Sequence, residues 1–147
     1  MSRIRIRISG LLVRQNQILM VRHQKGARLY HLLPGGGLGE HETIPDALSR
    51  EFMEELGMQV AVGPLLLVAQ SLSPDRSRNI IHLIHRVESE DEALVTGNDP
   101  RVEGFDWYCL NQSLPIVFYP DILPQVIELS RKPAYNGINV EIPDWID

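Results

Sequence analysis

The sequence predicts one α/β (α+β) domain, a mixed sheet covered by helices, and three observations carry that prediction. Arginine and isoleucine alternate from Arg3 to Ile8, as in a strand with one buried face. The stretch from Thr43 to Gly57 has helix signals at both ends. Strand-like runs lie on either side of it, and a second helical stretch comes late in the chain. The 147 residues suit a single domain spanning 1–147, long enough to bury a core without disulfide staples.

Residues 3–8 form the first strand, and the apolar run Gly10 to Val13 continues it. Arg14-Gln15-Asn16-Gln17 is a polar turn, and Ile18 to Val21 returns as the second strand of a hairpin. Residues 22–31 read as a basic, loop-like connection, and Pro34-Gly35-Gly36-Gly37 breaks any regular element. The helix starts with Thr43 as N-cap and Pro45 in its first turn, and it stops at Gly57. Residues 58–72 are one long bent strand or two short ones around Gly63-Pro64. A polar loop (73–79), a strand (80–87), an acidic turn (88–92) and a further strand (102–110) follow. Pro120 to Arg131 suits a helix that Pro124 shortens or kinks. The order of these elements shows no internal repeat.

The net charge of −5 argues against a protein that coats a nucleic-acid polymer. It leaves room for a phosphate-bearing small molecule, because a local basic patch or a bound cation offsets the global sign. No apolar run approaches the ~20 residues of a membrane span, and the alternating N-terminus is unlike a signal peptide, so the expected location is cytoplasmic. The one cysteine, Cys109, is expected to be a buried thiol.

The chemistry concentrates on the acidic helix. Advancing roughly 100° per residue places Glu51, Glu54 and Glu55 within about a 100° arc together with Ala47. Leu48, Phe52 and Leu56 occupy the neighbouring arc and face the core. Like charges three and four residues apart repel, and near the edge of a core screening weakens. A raised carboxyl pKa or a bound cation relieves the repulsion. A hard divalent ion takes carboxylate oxygens and keeps waters for a phosphate substrate, and a glutamate not used as a ligand can accept a proton from the attacking water. Three glutamates on a helix, taken alone, also describe an ordinary solvated acidic face.

The longer spacing separates these readings. From Gly36 the chain runs five residues to Glu42, seven more to Arg50-Glu51, and then Phe52-Met53-Glu54-Glu55-Leu56-Gly57-Met58. This resembles the Nudix box, Gly-x5-Glu-x7-Arg-Glu-U-x-Glu-Glu-x-Gly-U, at every fixed position. Phe52 stands where an aliphatic residue is more usual. Leu33-Pro34-Gly35-Gly36 is similar to the family's lead-in, whereas His31 stands where many members have tryptophan. The resemblance covers about residues 3–131 and leaves 133–147 as a tail. It implies the Nudix fold, a mixed β-sheet sandwiched between α-helices with a loop-helix-loop catalytic motif.

It further implies a metal site of Glu51, Glu54, Glu55 and the Gly36 carbonyl, with Mg²⁺ as the ion and Mn²⁺ as an alternative. Glu51 is either ligand or base. Arg50 is expected to orient a box glutamate, and Glu42 to steady the helix start. Glu103 is a further candidate ligand, since relatives often add an acid from outside the box; its bland reading is a turn residue. Arg22, Lys25 and Arg28 are candidates for holding substrate phosphates, as the loop leads toward the box, and a solvated loop fits them equally. Tyr30 lies in a segment close to substrate in many relatives. Trp107 reads as core rather than as a base-stacking residue, and the Asn111-Gln112-Ser113 sequon has no role in a cytoplasmic protein. The implied function is hydrolysis of a pyrophosphate bond in a nucleoside diphosphate linked to X. Pro74, sixteen residues past the box, favours ADP-ribose or a nucleotide sugar over (d)NTPs, although a turn proline explains it as well. A non-catalytic nucleotide-binding module and a purely structural acidic-helix domain are the readings from other classes. A homodimer is also among what the resemblance implies.

Overall fold

The structure is a computed structural model that describes residues 3–111, 115–133, 136–138, 140–142 and 144–146. The alternating segment forms β1 (Ile4–Leu11). It enters the core only from Ile8 onward: Ile8 and Leu11 are fully buried, while Ile4 remains 64% and Ile6 39% exposed. β1 lies inside a four-stranded mixed sheet of order β5-β1-β7-β6, where β5 is Gly35–Gly37, β6 is Ala61–Leu72 and β7 is Asn79–Glu88. It runs parallel to β7 and antiparallel to β5.

The chain leaves this sheet at Leu12. β2 (Val13–Arg14) and β3 (Gln17–Lys25) form the hairpin, so the return strand belongs to a second sheet and does not pair with β1. β4 (Arg28–Leu32) and β8 (Val102–Cys109) also pair antiparallel with β3. The connection expected over 22–31 is therefore a tight hairpin that turns at Gly26-Ala27. Its polar residues hid the strand period: Arg22 and His31 pair across one face, His23 and Tyr30 across the other. The three glycines expected to break regular structure instead form β5. Strand pairing uses only backbone groups, which side-chain propensity does not report.

Helix α1 (Ile44–Leu56) has the predicted ends, with Thr43 at the N-cap and Gly57 at the C-cap in the left-handed region (φ 63°). β6 is one strand, with register shifts on both sides of Leu65 where Gly63-Pro64 bends it. Helix α2 spans only Leu123–Ser130. Pro124 sits in its first turn, where a missing N–H costs nothing, so the proline starts the helix and does not kink it.

The β layer separates two apolar clusters. One joins Ile8, Leu19, Val21 and Leu32 to Ala47, Leu48, Phe52 and Leu56 of α1. The other joins Leu11, Ile18, Met20, Ile84 and Tyr108 to Val126 of α2. Sheet material between two helices is the expected sandwich. In the tail, Ile138 bridges to Leu65 through both backbone hydrogen bonds. Gln112 and Ser113 of the sequon, and residues 134, 135, 139, 143 and 147 of the tail, lie outside the described residues. Among the described residues no helix is long and apolar enough to cross a membrane.

Candidate active site

Local sequence fixes α1 at both ends. The Thr43 hydroxyl accepts the Asp46 N–H at 3.3 Å, and the Gly57 N–H donates to the Met53 carbonyl at 3.0 Å. Burial of Leu48, Phe52 and Leu56 then fixes the rotation of the helix. The three glutamates resolve into a gradient. Glu55 is 1% exposed, the Glu51 side chain 10%, and the Glu54 side chain 48%.

Glu55 points at β5. Its Oε1 accepts the Gly35 N–H at 2.9 Å, while Oε2 is buried with no hydrogen-bond partner among the described residues. Burial raises its pKa to about 8, against the pull of the Gly35 amide and the Arg7 guanidinium. Glu51 lies over Gly36. A Cβ at Gly36 would stand 2.3 Å from Glu51 Oε1, so the carboxylate occupies space that only glycine leaves open. Burial also raises the Glu51 pKa, opposed by Arg50.

Arg50 binds the acidic groups together. Its guanidinium donates to Glu42 through Nη2 at 2.7 Å and Nε at 3.1 Å, and through Nη1 to Glu51 at 2.9 Å and Glu54 at 3.2 Å. Glu42 also accepts the Gly39 N–H at 2.8 Å, and these two donors, Arg50 first, lower its pKa. The planar fork of arginine suits several carboxylates at once, which a lysine would not.

Arg50 occupies one oxygen each of Glu51 and Glu54, and among the described residues no group of three His, Cys, Asp or Glu stands close enough to hold an ion. The donor set nevertheless suits a hard divalent cation. It offers three carboxylates on one helix, one of them with an unpartnered buried oxygen, beside a glycine strand that leaves room for them.

The other candidates come from β3, β4, β8 and the loop after β6. Arg22 makes a two-oxygen contact with Asp106 at 3.1 Å, and His31 Nε2 reaches the same carboxylate at 2.8 Å. Lys25 and Arg28 are exposed at the β3–β4 turn. Glu103 is exposed on β8 where the pairing with β3 slips between Arg22 and His23. Pro74 is exposed in a loop organised by Asp75, which accepts from Ser73 and Ser77 and has its pKa lowered to about 2. Trp107 packs on the α1-side core under Arg14, whose guanidinium carbon stands 5.1 Å from the ring centre. Cys109 is half-buried.

Several groups near the glutamates had no individual signal in the sequence. Arg7 reaches from β1 to the Leu33 carbonyl at 3.1 Å, close enough for the charges of Glu55 and Glu51 to act on it. Asp99 and Arg101 form an ion pair at 3.0 Å in the loop before β8, and both also act on Glu55. Thr96 ties that loop to α1: its N–H donates to the Glu55 carbonyl at 3.4 Å and its hydroxyl to the Glu54 carbonyl. His23, Tyr30, Tyr119 and His82 form a row of edge-to-face rings with centroids 5.6, 6.4 and 5.8 Å apart in turn.

Comparison with known proteins bears on the family and the fold. The family model described as NUDIX domain matches residues 3–127. An ADP-ribose pyrophosphatase of Methanocaldococcus jannaschii is 28% identical over 103 residues, 69% of this chain and 61% of that protein, so less than two thirds of that protein is spanned. A MutT NUDIX hydrolase of Burkholderia pseudomallei superposes with a TM-score of 0.73 at 22% identity, covering 87% of this chain and 98% of that one. A NUDIX hydrolase of Nitrosomonas europaea superposes with a TM-score of 0.73 at 18% identity, covering 98% of each chain.

Proposed function

This chain belongs to the Nudix family, and from that premise we propose that it is a pyrophosphohydrolase: it uses Mg²⁺ to cleave a nucleoside diphosphate linked to X, with water attacking phosphorus. The observation that carries the proposal is the buried, half-satisfied carboxylate of Glu55 beside Glu51 and the glycine strand. A negative group kept out of water without a second partner is expensive unless a cation or a proton accompanies it.

We assign the ion to Glu54, Glu55 and the Gly36 carbonyl, with Mn²⁺ as the alternative to Mg²⁺. When bound, the ion neutralises phosphoryl oxygen charge and lowers the pKa of a coordinated water. Glu51 is assigned the proton of the attacking water, since burial raises its affinity for protons and the Arg50 guanidinium, which opposes that rise, holds the carboxylate in place. Arg50 and Glu42 position these groups by crosslinking the helix start to its middle. The products would be a nucleoside monophosphate and phosphorylated X. The related ADP-ribose pyrophosphatase and the position of Pro74 favour ADP-ribose or a nucleotide sugar over a (d)NTP.

A cytoplasmic homodimer completes the reading. Ile4, Ile6, Val68 and Leu72 are exposed, and the strand register places them on one face of the mixed sheet, which we assign to a second copy. Light scattering after gel filtration gives the mass; a monomer at micromolar concentration removes this part.

The activity test is incubation with Mg²⁺ or Mn²⁺ and a panel of ADP-ribose, nucleotide sugars, dinucleotides and (d)NTPs, with Glu54→Gln as control. Turnover of one class, lost in the variant and in chelator, is expected. Nucleotide binding with no turnover of any compound would move the chain to a regulatory module.

A further inference from the structure

Arg5 and Arg7 share one face of β1 and Arg3 lies just before it, yet only Arg7 is half-buried; the other two are exposed. Arg7 donates one hydrogen bond, to the Leu33 carbonyl, and makes no ion pair among the described residues. Most of its N–H donors are thus uncommitted, although the carboxylates of Glu55 and Glu51 lie near enough to act on its charge. A guanidinium taken partly out of water and left with spare donors suits an anion arriving from outside.

Its surroundings say which anion. On one side, β1 pairs with β5 at Arg7–Gly37, next to the glycine over which Glu51 rests. On the other, β1 pairs with β7 at Arg7–His82, which puts the His82 side chain on the same face as Arg7. His82 leads to the ring row, and its edge contact is with Tyr119, a ring still 38% exposed. Arg7 therefore stands between a cluster of carboxylates and an aromatic wall. A diphosphate bearing a planar group has its parts in that order: a phosphoryl group at the metal side, a second phosphoryl group, then a ring.

We propose that Arg7 is a substrate-binding residue whose guanidinium holds the phosphoryl group lying away from the metal carboxylates, with Tyr119 against the planar group attached to it. The assignment rests on the pyrophosphohydrolase reading and names the residues that select its substrate. Arg7 works as a two-pronged donor to non-bridging oxygens, and Tyr119 offers the face of a ring that the row of neighbours holds in place.

The test compares wild type with Arg7→Met, Arg7→Lys, Tyr119→Ala and, as a charge-matched control on the same face, Arg5→Met. Calorimetric titration with adenosine monophosphate in chelator reads binding without the metal. Steady-state kinetics with Mg²⁺ and the best panel substrate read KM and kcat separately. Arg7→Met is expected to weaken nucleotide binding at least tenfold and to raise KM by a similar factor with a smaller change in kcat, while Arg5→Met stays near wild type. Arg7→Lys, which keeps the charge and loses the fork, should fall between, and it carries the comparison if the methionine variant does not fold. A folded Arg7→Met that binds the nucleotide as wild type does, and changes only the affinity for Mn²⁺, would show a counter-charge for Glu55 and overturn the proposal. A wild type that neither binds nor hydrolyses any nucleotide overturns both this assignment and the reading beneath it; normal turnover with an unaltered Arg7→Met overturns the assignment alone.

Discussion

The Gly35 amide donates to Glu55 Oε1 at 2.9 Å, while the second oxygen of that carboxylate is buried with no partner among the described residues. A single backbone donor thus anchors the most buried acid of the site to the edge strand and leaves it one oxygen with which to bind.

This arrangement sets a pH dependence. Burial raises the Glu55 pKa from 4.5 to about 8, so between those values the folded protein holds a proton that the unfolded chain has released. The metal-free protein should therefore lose stability as pH rises from about 4.5 to about 8. Glu51, also raised by burial, adds to the trend. Melting temperatures across this range in chelator should fall with pH for wild type and more shallowly for Glu55→Gln, and Mg²⁺ should flatten the wild-type curve. Parallel curves for the two proteins would count against the assignment.

Arg50 joins Glu42, Glu51 and Glu54 in one network. Arg50→Ala should leave α1 folded, since its caps and apolar stripe remain, yet lower activity or metal affinity by roughly 10- to 100-fold. Arg50→Lys should recover little of this, because one ammonium does not replace the fork. Mn²⁺ titration followed by electron spin resonance measures the affinity. Full recovery by lysine would show that charge alone matters.

Gly36→Ala and Gly37→Ala make a matched pair. The first puts a methyl group against the Glu51 carboxylate; the second meets nothing within 4 Å. The first variant should lose metal affinity and turnover while keeping the fold by circular dichroism, and the second should behave as wild type. Equal losses in both would place the cause in the β5 backbone instead of in the Glu51 cradle.

His82 is almost fully buried, with Nε2 at 2.9 Å from the Ser71 hydroxyl, Nδ1 unpartnered among the described residues and the Tyr119 ring at its edge. Burial first and the Arg7 charge second lower its pKa to about 4. The unfolded imidazole gains its proton near 6.5, before the folded one, so stability is lost as pH falls from about 6.5 to about 4. A nitrogen-edited NMR titration should find this ring neutral at pH 5.5; a midpoint at or above 6.5 would contradict the account.

The sequence was most legible where residues punctuate or repeat. Thr43, Pro45 and Gly57 marked α1, and the spacing from Gly36 to Met58 marked the box, because caps and motifs are local. It was least legible where pairing relies on the backbone or on distant partners. Gly35–Gly37 reads as a break and is a strand, since β1 supplies its hydrogen bonds from far away in the chain. Residues 22–31 read as a basic loop until Asp106, on β8, shows what Arg22 and His31 reach for. Arg7 is indistinguishable in sequence from Arg3 and Arg5; only its place beside β5 and β7 separates it.

The same placement of β1 governs how the protein comes into being. β1 is made before its parallel neighbour, which follows about 75 residues later, Ile4 pairing with Asn79. Parallel pairing over such a distance must pay a loop-closure cost before any contact repays it. During synthesis the helix that carries the glutamates is complete well before the strand meant to seat β1. The cradle of Gly35 and Gly36 consequently closes among the last events of folding. In pulse-labelled hydrogen exchange, the amides of α1 should gain protection early and those of Gly35 to Gly37 together with β7.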